Sequence, residues 1–212
     1  MLIDLHCHTV DKSDDSALTL PAIGRLARDR GVEAVCITDH EAFWKPDALE
    51  QAGKEAGVLF IPGAEINTDA GHVLVFGLSE YKFGYHHPDR LIEAVAEVGG
   101  ATILAHPYRR ALPREIGPGT PGFANALKRA RSNPLLALVN AIEVSNGRGT
   151  DEQNEFSASL AEALGMPGTG ASDAHAKADF GGAATEFERR VGGVDDLIRE
   201  LKAGRFRPVR FR

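Results

Sequence analysis

Six of the chain's eight histidines stand in short clusters: His6-Cys7-His8, Thr38-Asp39-His40, Gly71-His72, Ala105-His106-Pro107 and Ser172-Asp173-Ala174-His175. Imidazole and carboxylate hold zinc, manganese or iron while leaving positions for water and substrate, so the set reads as a multinuclear metal site and points first to hydrolysis. A lone histidine is more often packed or solvated than a ligand. That bland reading holds for His86 and His87, which precede Pro88 in a predicted turn.

The elements that must position these residues follow from apolar patterning. Runs rich in Val, Ile and Leu predict strands over Leu2–Cys7, Ala34–Thr38, Leu59–Ala64, Val73–Leu78, Thr102–Ala105, Ala141–Val144 and Gly168–Ala171. Helical patterns fit Leu20–Arg30, Pro46–Ala56, Pro88–Val98, Gly122–Arg131, Glu152–Leu164 and Val194–Ala203, and a last strand is expected near Arg207–Phe211. This alternation is that of βα units around a parallel sheet. The clusters then fall where strands end: His6 and His8 after the first, Asp39 and His40 after the second, Glu65 after the third, His106 after the fifth, Asp173 and His175 after the seventh. Strand ends of a parallel barrel share one rim, where barrel enzymes place their chemistry. His72 begins its strand instead, and reaches the same rim only if that strand is antiparallel or displaced. The stretch Pro107–Pro121 is irregular and reads as a lid or substrate loop.

Composition bounds the answer. At 212 residues and 43% hydrophobic content, one domain spanning residues 1–212 is expected. A formal charge of −6 gives no broad cationic field, which argues against stable binding of duplex nucleic acid or an anionic membrane. Two separated cysteines, no signal peptide and no bilayer-length apolar run point to the cytoplasm. Cys7 and Cys36 read as small apolar core residues.

The ordered series Asp4-Leu5-His6-Cys7-His8-Thr9, Thr38-Asp39-His40, Gly63-Ala64-Glu65, Gly71-His72, Ala105-His106-Pro107 and Ser172-Asp173-Ala174-His175 resembles the PHP family, named for polymerase and histidinol phosphatase. The resemblance spans nearly the whole chain and implies an α/β fold, a distorted seven-stranded β/α barrel, with two or three divalent ions (Mn, Fe or Zn). It implies one ion on His6, His8, Glu65 and Asp173, a second on Glu65, His72 and His106, and a third on Asp15, His40 and His175. Asp15 rather than its neighbour Asp14 is taken from the Ser13-Asp14-Asp15-Ser16 order. The implied activity is hydrolysis of a small phosphomonoester or phosphodiester by a metal-bound hydroxide, with Asp173, His175 or His40 delivering a proton to the departing alkoxide.

Around this set, Arg109 and Arg110 open the irregular stretch and are candidate phosphate contacts, with Arg148 and Lys177 behind them. Asn146 is a candidate substrate contact or a turn hydrogen bond, and Glu143 a carboxylate of the same mouth. Asp4 and Asp39 adjoin ligands and suit orienting hydrogen bonds. Arg205, Arg207, Arg210 and Arg212 form a weak basic stripe that also suits a charged edge strand. Two rival functions remain: a metal-dependent amide or lactone hydrolase, and a non-catalytic metal-binding regulatory domain. Oligomeric state is not encoded in any of these motifs.

Overall fold

A computed structural model describes residues 1–113 and 116–211, so Arg212 and the middle of the irregular stretch lie outside the described residues. The order is β1 (Leu2–Cys7), α1 (Leu20–Arg30), β2 (Ala34–Ile37), α2 (Pro46–Ala56), β3 (Leu59–Pro62), β4 (Ala64–Thr68), β5 (Gly71–Phe76), α3 (Pro88–Glu97) and β6 (Ala101–Leu104). Then come α4 (Tyr108–Ala111), α5 (Pro121–Ala130), a 3-10 turn (Pro134–Ala137), β7 (Ala141–Asn146), α6 (Asp151–Leu164), β8 (Gly168–Ala171), β9 (Ala183–Phe187), α7 (Val194–Ala203) and β10 (Phe206–Arg210). Local sequence explains the helices well. Thr19 caps α1 by accepting from the Ala22 amide, Gly31 ends it in the left-handed region at φ 69°, and Leu20, Ile23 and Ala27 supply its buried stripe.

Among the described residues the strands do not close into one seven-stranded barrel. They form two five-stranded sheets, β10-β9-β1-β2-β3 and β4-β5-β6-β7-β8. The expected third strand breaks at Gly63, where a Cβ would stand 2.8 Å from the Phe76 ring and 3.1 Å from Thr38 Cγ2. Pro62, without an N–H, precedes the break. Glu65 therefore lies within β4, not after a strand as the apolar run suggests. The two sheets still meet beside the histidines through isolated parallel bridges, Cys7 with Ala174 and His40 with Glu65.

The position of His72 follows from sheet topology. β5 runs antiparallel to both β4 and β6, and the Ala105 amide donates to the His72 carbonyl at 3.0 Å, so the start of β5 meets the end of β6. Between the sheets Ile3, Leu5, Leu74, Phe76 and Ile103 form a fully buried core. Each large side chain there contributes about 1.5–3 kcal/mol by leaving water. Cys7 belongs instead to the cluster under α1, with Ile23 and Ala27, although simple alternation would keep it with Ile3 and Leu5; the register of β1 on β2 shifts between Asp4 and Cys7. β9 was not evident from patterning; it pairs antiparallel with β1 and with β10, the latter being the last strand expected.

Candidate metal centre

The buried centre of the cluster is built from β1, β4 and the segment after β8. His6 Nε2 lies 3.2 Å from Glu65 Oε2 and 3.5 Å from Asp173 Oδ1, and His8 Nε2 lies 3.4 and 3.6 Å from the same two oxygens. All four of these atoms are buried and, among the described residues, find no hydrogen-bond partner. Leaving such groups unpaired in a dry interior costs kcal/mol each, so convergence of four is a demand for a cation. Two imidazole nitrogens and two carboxylate oxygens are a donor set that fits a divalent ion.

Two flanking groups extend the centre. Glu65 Oε1 faces His72 Nδ1 at 2.8 Å and His106 Nε2 at 3.0 Å, so one carboxylate addresses two donor groups through its two oxygens. On the outer side Asp15 Oδ2 lies 3.1 Å from His175 Nε2 and 3.5 Å from His40 Nε2, while His40 Nδ1 reaches back to Glu65 Oε2 at 3.1 Å. Of the neighbouring acids it is thus Asp15 that reaches the two histidines. Donor atoms of His8, His40 and His175 also lie within 4.8 Å of one another.

Backbone strain accompanies the site. His106 at φ 26° and Asp173 at φ 54° are two of the three non-glycine residues with positive φ among those described, and the third, Glu41 at 53°, follows His40. Such conformations cost of order 1–3 kcal/mol and persist where surrounding contacts over-determine them.

Glu143 supplies one such set of contacts. Fully buried in β7, it accepts from His6 Nδ1 at 3.0 Å, from the His106 amide at 2.9 Å and from Asn146 Nδ2 at 2.9 Å. With an ion between Glu65 and Asp173, a proton held on His6 Nδ1 by Glu143 would leave the Nε2 lone pair for the metal. Asp4 ties backbones, accepting from the His6 and Ser172 amides. Asp39 shapes the loop after β1 by accepting from the Thr9 amide and hydroxyl, Ser13 Oγ and Trp44 Nε1. Ser13, which no motif singled out, also meets the His8 ring and the His40 amide.

Electrostatics match the geometry. Burial alone would depress the pKa of His6, yet the Glu65, Asp173 and Glu143 charges hold it well above the ordinary imidazole value. His8 goes the other way, driven down to about 4 by burial. Burial would raise Glu65 and Asp173, but His6 and the other cationic or donor neighbours hold both carboxyls below the usual range. Both are therefore anionic at neutral pH.

The arginine pair divides. Arg109, on α4, lies against Asp173 Oδ2 and places Nη1 3.2 Å from His106 Nε2. Arg110 donates instead to the Asp69 carbonyl at 2.6 Å. Arg148 enters from the opposite side, with Nη1 2.9 Å from His175 Nδ1. Asn146, a candidate for a substrate contact or a turn hydrogen bond, is buried, with its amide donating to Glu143 and Asp173 and its oxygen accepting from Tyr108 and, across the turn, from the Arg148 amide. His86 and His87 pack on each other with ring centroids 4.0 Å apart, and His87 pairs with Asp69 at 3.1 Å in solvent. A cavity of about 860 Å³ opens beside the centre, lined among others by His72, His106, Arg109, Arg110, Leu112 and Arg129. Among the described residues no helix is long and apolar enough to cross a membrane.

Comparison with known proteins fits this geometry. Residues 4–139 match the family model described as PHP domain, and residues 151–206 match that described as PHP-associated. A protein of Shewanella amazonensis named "Probable phosphatase" is 28% identical over 218 residues, covering 91% of this chain and 82% of the relative. Among solved structures, a two-domain protein from Bacteroides vulgatus containing a predicted PHP-like metal-dependent phosphoesterase aligns with a TM-score of 0.69 at 19% identity, over 99% of this chain and 64% of that one. A lesion-specific endonuclease from Pyrococcus furiosus aligns with a TM-score of 0.60 at 17% identity, over 98% of this chain and 57% of that one. At these identities the two structures speak for the fold.

Proposed function

Because the chain belongs to the PHP domain family, we propose that it is a metal-dependent phosphoesterase hydrolysing a small phosphomonoester or phosphodiester. The observation that carries this reading is the convergence of four partnerless buried atoms, His6 Nε2, His8 Nε2, Glu65 Oε2 and Asp173 Oδ1. These four residues would hold one ion, Glu65 with His72 and His106 a second, and Asp15 with His40 and His175 a third. Divalent ions there supply Lewis acidity, offsetting phosphoryl charge and making water acidic enough to ionise near neutral pH.

The chain's own groups do the rest. Arg109, 35% exposed and anchored on Asp173, presents a planar guanidinium at the edge of the cluster, suited to two phosphoryl oxygens. Glu143 and Asn146 fix the ligands around it. Asp173 is fully buried among donors, whereas His40 is 37% exposed with its ring 6.4 Å from that of His72, so in the two-ion form, with the outer position unfilled, we assign proton delivery toward the departing alcohol to His40. The relative named as a phosphatase supports phosphate esters over amides or lactones.

Elemental analysis of protein purified without chelator, followed by phosphate release from mono- and diesters in manganese, iron and zinc, tests the reading. Bound divalent metal with phosphate release is expected. Metal-loaded protein that cleaves amides or lactones but no phosphate ester would replace it with the other hydrolase class.

A further inference from the structure

We infer that the cavity beside His72 and His106 receives the alcohol half of the ester, and that Arg110 selects leaving groups carrying a second negative charge, a carboxylate or another phosphate. The inference deepens the phosphoesterase reading and rests on it. His72, His106 and Arg109 line this cavity and also belong to the cluster, so whatever is bonded to a phosphoryl group there has this volume beside it. At about 860 Å³ the space suits a small organic body.

The lining divides into an apolar floor and a charged wall. Leu104 and Leu160 are 1% exposed and Leu112 8%, so the floor is core-like and offers an organic group a dry surface. Arg110 crosses the wall from α4 and is pinned by its hydrogen bond to the Asp69 carbonyl, a neutral partner that orients the guanidinium without cancelling its charge. The Asp69 carboxylate turns instead onto His87 Nδ1, 3.1 Å away. Asp89, the other acid of the lining, stands in the first turn of α3, where helix N–H groups favour an anion. Arg129, from the last turn of α5, adds a third guanidinium to the same cavity, beside those of Arg109 and Arg110. A fixed, charged fork beside an apolar floor is what an organic anion recognises. The two adjacent arginines thus serve different halves of one substrate, Arg109 the phosphoryl group and Arg110 the group that leaves.

Three stable probes test this on the manganese-loaded protein by calorimetry: benzylphosphonate, its 4-carboxy derivative and its 4-phosphonomethyl derivative. Both doubly anionic probes should bind roughly tenfold or more tightly than benzylphosphonate, the size expected for a charge-assisted hydrogen bond. Arg110→Ala should collapse that preference toward parity, and Arg110→Lys should restore part of it. A carboxylate preference without a phosphonate one, or the reverse, identifies which anion the wall is built for. Equal binding of all three probes to the unaltered protein, or a preference that survives both Arg110→Ala and the Arg110→Ala/Arg129→Ala double variant, would overturn the assignment. Phosphate release from phenyl phosphate and 4-carboxyphenyl phosphate is measured separately. No release from either with the binding preference intact would count against the phosphoesterase reading and leave the pocket assignment standing.

Discussion

Around His6 the donor atoms are sealed from water, and around Asp15 they meet it. The side chains of His6, His8 and Asp173 are fully buried and that of Glu65 is 1% exposed, against 58% for Asp15 and 37% for His40. The inner residues project from strands or strand ends and are held by buried partners such as Glu143, whereas Asp15 sits on the loop after β1. Burial raises the cost of leaving donors unpaired and strengthens every charge interaction, while water and salt weaken both at the rim. Inner ions should therefore be bound firmly, and an outer one loosely.

The strongest way to break this contrast is at Glu65, which faces both the inner donors and His72 and His106. Glu65→Gln keeps the shape and removes a charge shared by two donor groups, so both metal content and phosphate release should fall, turnover by on the order of a hundredfold or more. Metal analysis and steady-state kinetics read both. Full metal content with unchanged turnover would show that Glu65 is only a core acceptor.

Glu143 probes the inner site from behind. Glu143→Ala removes the acceptor that fixes the His6 ring, along with partners of the His106 amide and Asn146. Metal affinity should drop by about 10–100-fold, the usual effect of losing an outer partner of a ligand. Glu143→Gln, which retains an acceptor for His6 Nδ1, should lose less. If the two variants bind metal equally well and as tightly as the unaltered protein, the ring is oriented by packing alone.

How much of this was legible beforehand depends on the distance over which each signal acts. The histidine clusters are local motifs at strand ends, so their convergence followed from alternation and topology, and even His72 needed only one antiparallel strand. Glu143 was visible as a rim carboxylate, but its bond to His6 spans 137 residues and no spacing encodes it. The break at Gly63 depends on the Phe76 ring arriving from another strand, again a tertiary contact. Arg109 and Arg110 looked equivalent because both follow His106; a helical turn sends adjacent side chains about 100° apart, which separates them. For Asn146 the local turn bond to the Arg148 amide was legible, while its partners Tyr108 and Asp173 come from other segments.

At the rim the contrast predicts a smaller, selective loss. Asp15→Asn removes the carboxylate that faces His40 and His175. Titration with manganese should show the weakest-bound equivalent shifting roughly tenfold to higher concentration while the inner equivalents stay, because an exposed charge is partly replaced by water. Loss of all bound metal would mean that the outer loop holds the inner site together, and the division between sealed and open ends would fail.

The smallest effect is expected outside the cluster, at His86 and His87. His87 stands close to an acid, which on residue type alone makes it look like a further ligand. His87 does pair with Asp69, but both side chains are more than half exposed, and an ion pair in that setting contributes about 0–1 kcal/mol. Replacing both residues with Ala should therefore leave metal stoichiometry unchanged and shift the thermal midpoint only slightly. The one foreseeable side effect is at the neighbouring cavity wall, where the freed Asp69 carboxylate could turn toward Arg110 and weaken binding of doubly anionic probes without touching the metals. Elemental analysis alongside the phosphonate titrations separates the two. A lost metal equivalent in the double variant would mean that exposure is a poor guide to which histidines in this chain bind metal.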